Sequence, residues 1–212
     1  ILLVGNPIRR ELLGGTRENA IRLFKLVNDK PILLILGGSQ GAQSINDMLL
    51  VILDEALEQF EIIHQTGERN FKQVRKEAKV VVNKTREKYY HPVPFLNEID
   101  FRHAYEAADV IVNRSGSGSI FEIAALGKPS ILIPLPSSAQ NHQIKNAYVY
   151  AQTGAAIVLE QSNLTPHFFL ERIRSIVFDP KEMEKMSQAA LEFAKPEAAR
   201  IIAQYIIEYV VR

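Results

Sequence analysis

The chain has 212 residues with a formal charge of +1, and 47% of its residues are hydrophobic and 23% charged. This composition is typical of one soluble globular domain, and the near-neutral charge gives no overall field that would attract nucleic acid. No apolar run reaches the roughly 18 residues of a membrane-spanning helix, and the lack of cysteine excludes disulfides and thiolate metal sites, which fits a cytosolic protein.

The chain opens on the apolar run Ile1-Leu-Leu-Val, with no initiator Met before it. We interpret this run as a buried strand already in progress. We therefore expect that a further segment precedes it in the intact protein, and that the intact protein's function is not complete in these residues.

Short β-branched runs then alternate with stretches of helical periodicity. This pattern predicts an α/β fold, a Rossmann-like doubly wound parallel sheet. The predicted strands are Pro31–Leu36, Phe60–Gln65, Tyr89–Phe95, Asp109–Asn113, Ser130–Pro134 and Ala155–Leu159. The predicted helices are Ala42–Glu58, Asn70–Ala78, Glu98–Ala107, Ser119–Ala125, Asn141–Ala151, Pro166–Val177, Pro180–Ala194 and Pro196–Val211. Pro92 and Pro94 predict that the third strand is short or lies at an edge, because proline has no amide hydrogen for the ladder.

The last predicted helix carries one wide apolar stripe. Its members are Ile201, Ile202, Tyr205, Ile206, Tyr209 and Val210, which share a face at helical spacing. Packing on the chain's own sheet is the simpler interpretation of this stripe. Docking on a domain outside this sequence is the alternative.

A glycine-rich segment, Gly37 to Ala42, follows the first predicted strand directly and opens a helix. Glycines let the backbone approach an anion closely, the helix N-terminus offers unpaired amides, and Ser39 adds a hydroxyl donor. The segment lacks the Lys-Ser/Thr pair of a P-loop and the spacing of the dinucleotide fingerprint. It therefore predicts an anion site of another kind, with a tight turn that binds nothing as the alternative.

A similar loop, Asn113 to Ser119, follows the fourth predicted strand. Loops at the carboxyl ends of strands face one crevice in an open α/β sheet. Glu122 follows in the first turn of the next predicted helix, where a carboxylate is favoured by the helix dipole and could accept hydrogen bonds from the adjacent hydroxyls of a ribose. The alternative is that Glu122 only stabilises its own helix.

Two further segments carry polar side chains that suit a ligand. His142 and Gln143 stand in a loop that turns into a helix, and their imidazole and amide groups suit a polyhydroxylated ligand, with helix capping as the alternative. Arg9 follows the turn Gly5-Asn-Pro and could pair with a phosphate. A solvated surface arginine is the alternative there.

Several chemistries find no support in the sequence. It has no His-x-x-x-His pair and no clustered carboxylates, so neither a zinc site nor a paired-acid hydrolase is predicted. The histidines at 64, 91, 103 and 167 are scattered, and we interpret them as structural or exposed. The basic stretch from Arg69 to Lys88 is interrupted by Glu77 and Glu87, which favours a solvated helix face over a membrane contact.

Six motifs, in order and spacing, resemble the MurG family of bacterial transferases, which add N-acetylglucosamine to the undecaprenyl-pyrophosphoryl-muramoyl-pentapeptide precursor of peptidoglycan. The motifs are Gly5-Asn-Pro-Ile-Arg9, Gly37-Gly-Ser-Gln-Gly-Ala42, His64-Gln-Thr-Gly67, Arg114-Ser-Gly116, Glu122-Ile-Ala-Ala-Leu-Gly127 and Asn141-His-Gln-Ile-Lys-Asn-Ala147. The resemblance runs from Gly5 to about Gln161. It implies the C-terminal half of a GT-B glycosyltransferase, which binds UDP-GlcNAc.

The resemblance also implies a role for each matching residue. Ser39 and the amides of Gly37 to Gly41 would hold the diphosphate with Arg9 nearby, Leu96 would present backbone groups to uracil, and Glu122 would hold the ribose. Ser117, Gly118 and Ser119 would line the nucleotide and sugar, and His142 and Gln143 would bind sugar hydroxyls. The implied substrate-binding set is Arg9, Gly38, Ser39, Gln40, Gly41, Leu96, Ser117, Gly118, Ser119, Glu122, His142 and Gln143.

By the same resemblance the enzyme inverts the anomeric carbon and needs no metal or cofactor. The N-terminal half of the family carries the acceptor loop, the proposed base and a membrane-facing patch, so we assign no catalytic residue here. Residues 1–212 would form the UDP-sugar domain, with 1–12 as an interdomain segment and the helix at 196–212 able to dock on the missing half. We expect the isolated chain to bind donor without transferring sugar.

The implied partners are UDP-GlcNAc and, through the missing half, the lipid-linked acceptor, with no nucleic acid. The intact protein would then lie at the cytoplasmic face of the inner membrane. Two alternatives stay open. One is a donor-binding subunit that works with a separate acceptor subunit, as in the eukaryotic dolichol-linked GlcNAc transferase. The other is a transferase for another UDP-sugar or a glycolipid acceptor.

Overall fold

The computed structural model describes residues 4–37, 42–136 and 138–210, and its centre is one parallel β-sheet. The strands are β1 Ile32–Leu36, β2 Glu61–Gln65, β3 Tyr90–Val93, β4 Val110–Asn113, β5 Ser130–Leu132 and β6 Ala156–Val158. Their order in the sheet is β3-β2-β1-β4-β5-β6, and every neighbouring pair is parallel. The chain changes direction across the sheet between β1 and β4, and open α/β sheets bind their ligands at such a point.

Helices cover both faces of this sheet. They are α1 Arg17–Phe24, α2 Gln43–Gln59, α3 Glu68–Val81, α4 Glu98–Ala107, α5 Ser117–Ala125, α6 His142–Ala151, α7 Pro166–Val177, α8 Pro180–Phe193 and α9 Ala198–Val210. Short 3-10 helices are Arg10–Gly14, Glu87–Tyr89, Ala139–Asn141 and Gln161–Asn163. Alternate residues of β1 enter separate cores, Leu33 and Ile35 on one face and Ile32, Leu34 and Leu36 on the other. The predicted doubly wound, Rossmann-like sheet is therefore confirmed.

Capping residues set the helix starts that the sequence predicts best. The Asn97 side chain accepts a hydrogen bond from the Asp100 amide, and the Thr165 side chain accepts one from the Phe168 amide. Such caps satisfy amides that the helix itself cannot pair. The predicted bounds of α4 and α7 are accordingly the observed ones.

The predictions differ from the structure at both ends of the chain. No element is predicted between residues 5 and 30, yet α1 lies there, capped by the Thr16 side chain and ended by the left-handed residue Lys25. Ala20 is the one buried residue of α1, and its eight residues are too few to give a clear helical period. The strand expected at Ile1–Val4 falls mainly on residues 1–3, which lie outside the described residues.

The edge position of β3 is confirmed, since β3 is the outermost strand and ends at Val93, before Pro94. The interpretation that the last helix packs on its own sheet is wrong. In α9 only Ala198 is buried, and the exposed apolar side chains include Tyr205, Ile206, Ile207, Tyr209 and Val210. Most of its apolar stripe is therefore exposed within the described part of the chain.

Candidate functional site

Three loops leave the carboxyl ends of neighbouring strands and lead into helices. One joins β1 to α2, one joins β4 to α5, and one joins β5 to α6. The first holds the predicted anion site, of which Gly38, Ser39, Gln40 and Gly41 lie outside the described residues. Their predicted contacts with a diphosphate stay predictions. The rest of the site is formed by the β4–α5 and β5–α6 loops and by the side chains that pack against these two loops.

The N-terminal turn of α5 is open to a ligand. Gly116 is its N-cap, no side chain of the described residues caps it, and its first turn has no acidic residue. A side-chain carbon added at Gly116 would meet nothing within 4 Å, and one added at Gly118 would meet only the amide nitrogen Nδ2 of Asn6, at 3.8 Å. The first amides of a helix have no intrahelical partner, so the amides of Ser117 to Ser119 are candidates for binding an anion.

Glu122 lies in the second turn of α5 and is paired with Arg9. The Arg9 Nε donates to Glu122 Oε1 at 2.8 Å, and Nη2 donates to Oε2 at 3.0 Å. The guanidinium carbon also lies 5.2 Å from the centre of the Phe101 ring. The hydrogen bond to Glu122 raises the pKa of Arg9 above its ordinary value, so the guanidinium remains charged. The sequence placed Arg9 near a diphosphate and Glu122 near a ribose, and the structure brings the two together.

Arg114, for which the sequence predicts no role, joins the β4–α5 loop to the β5–α6 loop, to the start of α2 and to the 3-10 helix Gln161–Asn163. Its guanidinium donates from Nη1 to the carbonyls of Ile133 and Pro134, and from Nη2 to the side chains of Ser44 and Gln161. Burial lowers the pKa of Arg114, although an arginine stays protonated. Among the described residues it has no carboxylate partner. A positive charge is thus buried against Ser44 in the first turn of α2.

The β5–α6 loop folds around Gln143. The amide of Leu135 donates to Gln143 Oε1 at 3.0 Å, and the Ser115 hydroxyl donates to the Gln143 carbonyl at 2.8 Å. Gln140 and Asn141 have left-handed backbone angles, with φ of 49° and 55°. Gln143 therefore shapes the loop, and exposed His142 begins α6 beside it. Their predicted contacts with sugar hydroxyls stay predictions.

The predicted uracil contact involves Leu96, which is buried between β3 and α4. Its amide donates to the Gln65 side-chain oxygen at 3.1 Å. The sequence did not single out Gln65 for this role. The Leu96 amide is already engaged by Gln65. The predicted contact with uracil therefore depends on the Leu96 carbonyl.

A buried polar network fixes α2 against the sheet. His64 Nε2 lies 3.0 Å from Asn46 Oδ1, and His64 Nδ1 lies 2.8 Å from the Tyr90 hydroxyl. Asn46 Nδ2 donates to the Thr66 carbonyl, which orients the Asn46 oxygen toward the ring. Nε2 then carries the hydrogen, and burial lowers the pKa of His64 to about 3. The structural interpretation of His64 is confirmed, although its partners could not be read from the sequence.

The described residues contain neither a candidate metal site nor a helix suited to crossing a membrane. Residues 4–37, 42–136 and 138–210 hold no group of three or more His, Asp or Glu side chains that could bind a metal ion. Within those same ranges, no helix combines the length and the apolar character that a membrane crossing requires.

The sequence is similar to a family of known glycosyltransferase domains. Residues 32–204, from β1 into α9, match the model of the glycosyltransferase family 28 C-terminal domain. The UDP-N-acetylglucosamine--N-acetylmuramyl-(pentapeptide) pyrophosphoryl-undecaprenol N-acetylglucosamine transferase of Desulforamulus reducens is 34% identical over 203 residues, which are 93% of this chain and 54% of the relative. The protein of the same name from Thermodesulfovibrio yellowstonii is 35% identical over 205 residues, 95% of this chain and 54% of its own. This chain thus spans about half the length of these relatives.

Solved structures agree with this match. The crystal structure of MurG from Acinetobacter baumannii has a TM-score of 0.74 and 26% identity, covering 95% of this chain and 55% of that one. A UDP-GlcNAc 2-epimerase from Neisseria meningitidis has a TM-score of 0.63 and 16% identity, covering 91% of this chain and 48% of that one. The second likeness is one of fold alone.

Proposed function

This chain belongs to glycosyltransferase family 28 and carries its C-terminal domain, and from that premise we propose that it is the donor-binding part of an N-acetylglucosaminyltransferase. In the intact protein it would bind UDP-GlcNAc for transfer of GlcNAc to the lipid-linked muramoyl-pentapeptide precursor of peptidoglycan. The relatives that support this proposal are named for that reaction.

The observation that carries the proposal is the open N-terminus of α5 with Glu122 one turn further along the same helix. Gly118 and Glu122 are four residues apart, which is about 6 Å along a helix. A diphosphate on the amides of Ser117 to Ser119 would then leave the adjacent ribose within reach of the Glu122 carboxylate. That arrangement suits a nucleoside diphosphate, because the amides select the anion and the carboxylate accepts from two hydroxyls.

In the proposed reaction an acceptor hydroxyl attacks the anomeric carbon from the face opposite to UDP, which inverts that carbon. Negative charge develops on the departing diphosphate. We expect the amides at the start of α5, the charge of Arg9 and the buried charge of Arg114 to stabilise it without a metal ion. His142 and Gln143 at the start of α6 would bind the sugar hydroxyls.

We assign no base for the acceptor hydroxyl to any residue of this chain. The acceptor site and the membrane contact of the intact enzyme would belong to the half that these residues do not include. The isolated chain is therefore expected to bind donor and to transfer no sugar. Transfer of GlcNAc to a lipid acceptor by the 212-residue chain alone would refute this part of the proposal.

Calorimetric titration with UDP-GlcNAc, UDP-GalNAc and UDP tests the binding part directly. We expect UDP to bind, and Glu122→Ala to weaken it by about tenfold or more, because hydrogen bonds to a charged acceptor are lost. Glu184→Ala, on the exposed side of α8, is the matched control and should bind as the wild type does. Unchanged UDP affinity in Glu122→Ala would make the ribose assignment wrong.

A further inference from the structure

The Arg9 guanidinium donates a hydrogen bond to each oxygen of the Glu122 carboxylate, at 2.8 and 3.0 Å. The Glu122 side chain is 10% exposed, whereas that of Arg9 is 43% exposed. The two hydroxyls of a ribose need the same two oxygens. A ribose that bonds to both oxygens therefore competes with the guanidinium for them.

We propose that Arg9 exchanges one anion for another when the donor binds: it leaves Glu122 to the ribose and pairs with the diphosphate, so that the site selects nucleoside diphosphates over nucleosides. This inference rests on the proposed function, because it takes the ribose and diphosphate positions from it. It adds that the two positions are recognised together rather than independently.

The path for this exchange is short. The segment that carries Arg9 passes the start of α5, where Asn6 Nδ2 lies beside Gly118. Glu122 lies about 6 Å along the helix from that point. The guanidinium can cover such a distance by rotation of its own long side chain. Its other contact is the face of Phe101, 5.2 Å from the ring centre, and stacking on a ring permits sliding more readily than a directional hydrogen bond does.

The charges explain why the exchange would select a diphosphate. A mostly buried carboxylate that loses its cation is destabilised, and ribose hydroxyls supply hydrogen bonds but no positive charge. Uridine would have to break the ion pair and leave Arg9 without an anion. UDP brings its own anion, so Arg9 ends in an ion pair again. The cost of opening Glu122 is then offset only for ligands that carry the diphosphate.

The test is a comparison of UDP with uridine on wild type and Arg9→Ala, with uridine binding followed by ligand-observed NMR. In Arg9→Ala we expect UDP to bind about tenfold more weakly. Uridine should bind severalfold more tightly, because Glu122 is no longer covered. Arg10→Ala is the matched control, since Arg10 is the exposed neighbour and lies in no ion pair of the described residues. It should leave both affinities unchanged.

A second variant separates exchange from a general effect on the site. Glu122→Gln keeps the shape of the side chain and removes its charge, so the strong hold on Arg9 is lost. In that background Arg9→Ala should no longer tighten uridine. Equal weakening of UDP and uridine by Arg9→Ala, or no change in either, would overturn the exchange. Failure of the wild type to bind UDP at all would instead refute the proposed function, and the exchange with it.

Discussion

Glu61 and Glu122 are both buried carboxylates, with 0% and 8% of their residue surface exposed. Glu61 lies at the amino end of β2, whereas Glu122 lies in α5, which follows the carboxyl end of β4. Glu61 accepts hydrogen bonds from the amides of Val27 and Asn28, at 2.7 and 2.8 Å, and lies 2.7 Å from His91 Nε2. Burial raises the pKa of Glu61, but these hydrogen bonds outweigh burial and the net pKa is lowered. Glu122, in contrast, has the half-exposed side chain of Arg9.

The difference lies in whether the partner can leave. Backbone amides in the turn before β1 cannot move away from Glu61 unless the turn itself opens. A long arginine side chain can leave Glu122 while the fold stays intact. At the amino end of the strands, Glu61 is therefore held by permanent contacts. Toward the carboxyl end, Glu122 has a partner that a ligand can replace. That is the arrangement expected if ligands bind at the carboxyl edge.

The largest effect should come from Glu61→Ala. It leaves the amides of Val27 and Asn28 and the ring of His91 without their acceptor, and we expect the free energy of unfolding to fall by about 3 kcal/mol. Glu61→Gln, which keeps the size and one acceptor, should cost about half as much and guards against a variant that does not fold. Denaturant unfolding measures both. A loss as small as that of an exposed glutamate such as Glu184 would contradict the permanent role of Glu61.

The buried network around His64 holds α2 against the sheet, and the pH dependence of stability tests whether this network is permanent as well. Burial lowers the pKa of His64 in the folded chain to about 3. Between that pH and the ordinary histidine pKa of about 6.5, the unfolded chain binds a proton at His64 and the folded chain does not. Stability should fall by about 1.4 kcal/mol for each pH unit as the pH drops below about 6.5 toward 3. Above that window the contribution to the slope disappears.

Urea unfolding at pH 7, 6 and 5 measures this slope. His64→Gln removes the titrating group and should flatten it. His167→Gln is the control, because the His167 side chain is 80% exposed, and it should keep the wild-type slope. A slope that persists in His64→Gln would mean that another group controls the acid sensitivity.

Glu122→Gln should have a smaller effect on stability. Its partner is 43% exposed and can be rehydrated when the ion pair is lost, so we expect a change of about 1 kcal/mol or less. Comparing the loss of unfolding free energy in Glu122→Gln with that in Glu61→Gln measures the difference between the two carboxylates most directly. Similar losses for the two variants would mean that Arg9 is as permanent a partner as a backbone amide.

The sequence predicts the sheet well because its signals are local. Each observed strand lies inside its predicted range, and α4 and α7 have their predicted bounds because Asn97 and Thr165 cap them. The family resemblance rests on equally local motifs, and the match of residues 32–204 confirms it.

The pairings inside the site could not be predicted in this way. Arg9 and Glu122 are 113 residues apart, and Glu61 and His91 are 30 apart on neighbouring strands. Only the folded topology brings such side chains together. The four hydrogen bonds of Arg114, two of them buried and two partly buried, join it to three other segments of the chain. No spacing in the sequence predicts these contacts. Helix α1 was not predicted because its eight residues are fewer than a helical period needs in order to stand out.

The smallest effect extends the comparison to a surface that no described residue covers. Ile206 and Tyr209 in α9 are 57% and 81% exposed, so Ile206→Ser removes little buried area. We expect the free energy of unfolding to change by less than about 0.5 kcal/mol. The matched control is Val80→Ser near the end of α3, where an apolar side chain is 80% exposed on another helix. A larger loss for Ile206→Ser that grows with protein concentration would show that a second copy covers α9 in solution. A larger loss of unfolding free energy that does not depend on concentration would show that the stripe is buried within the chain. The exposed surface would then not include α9.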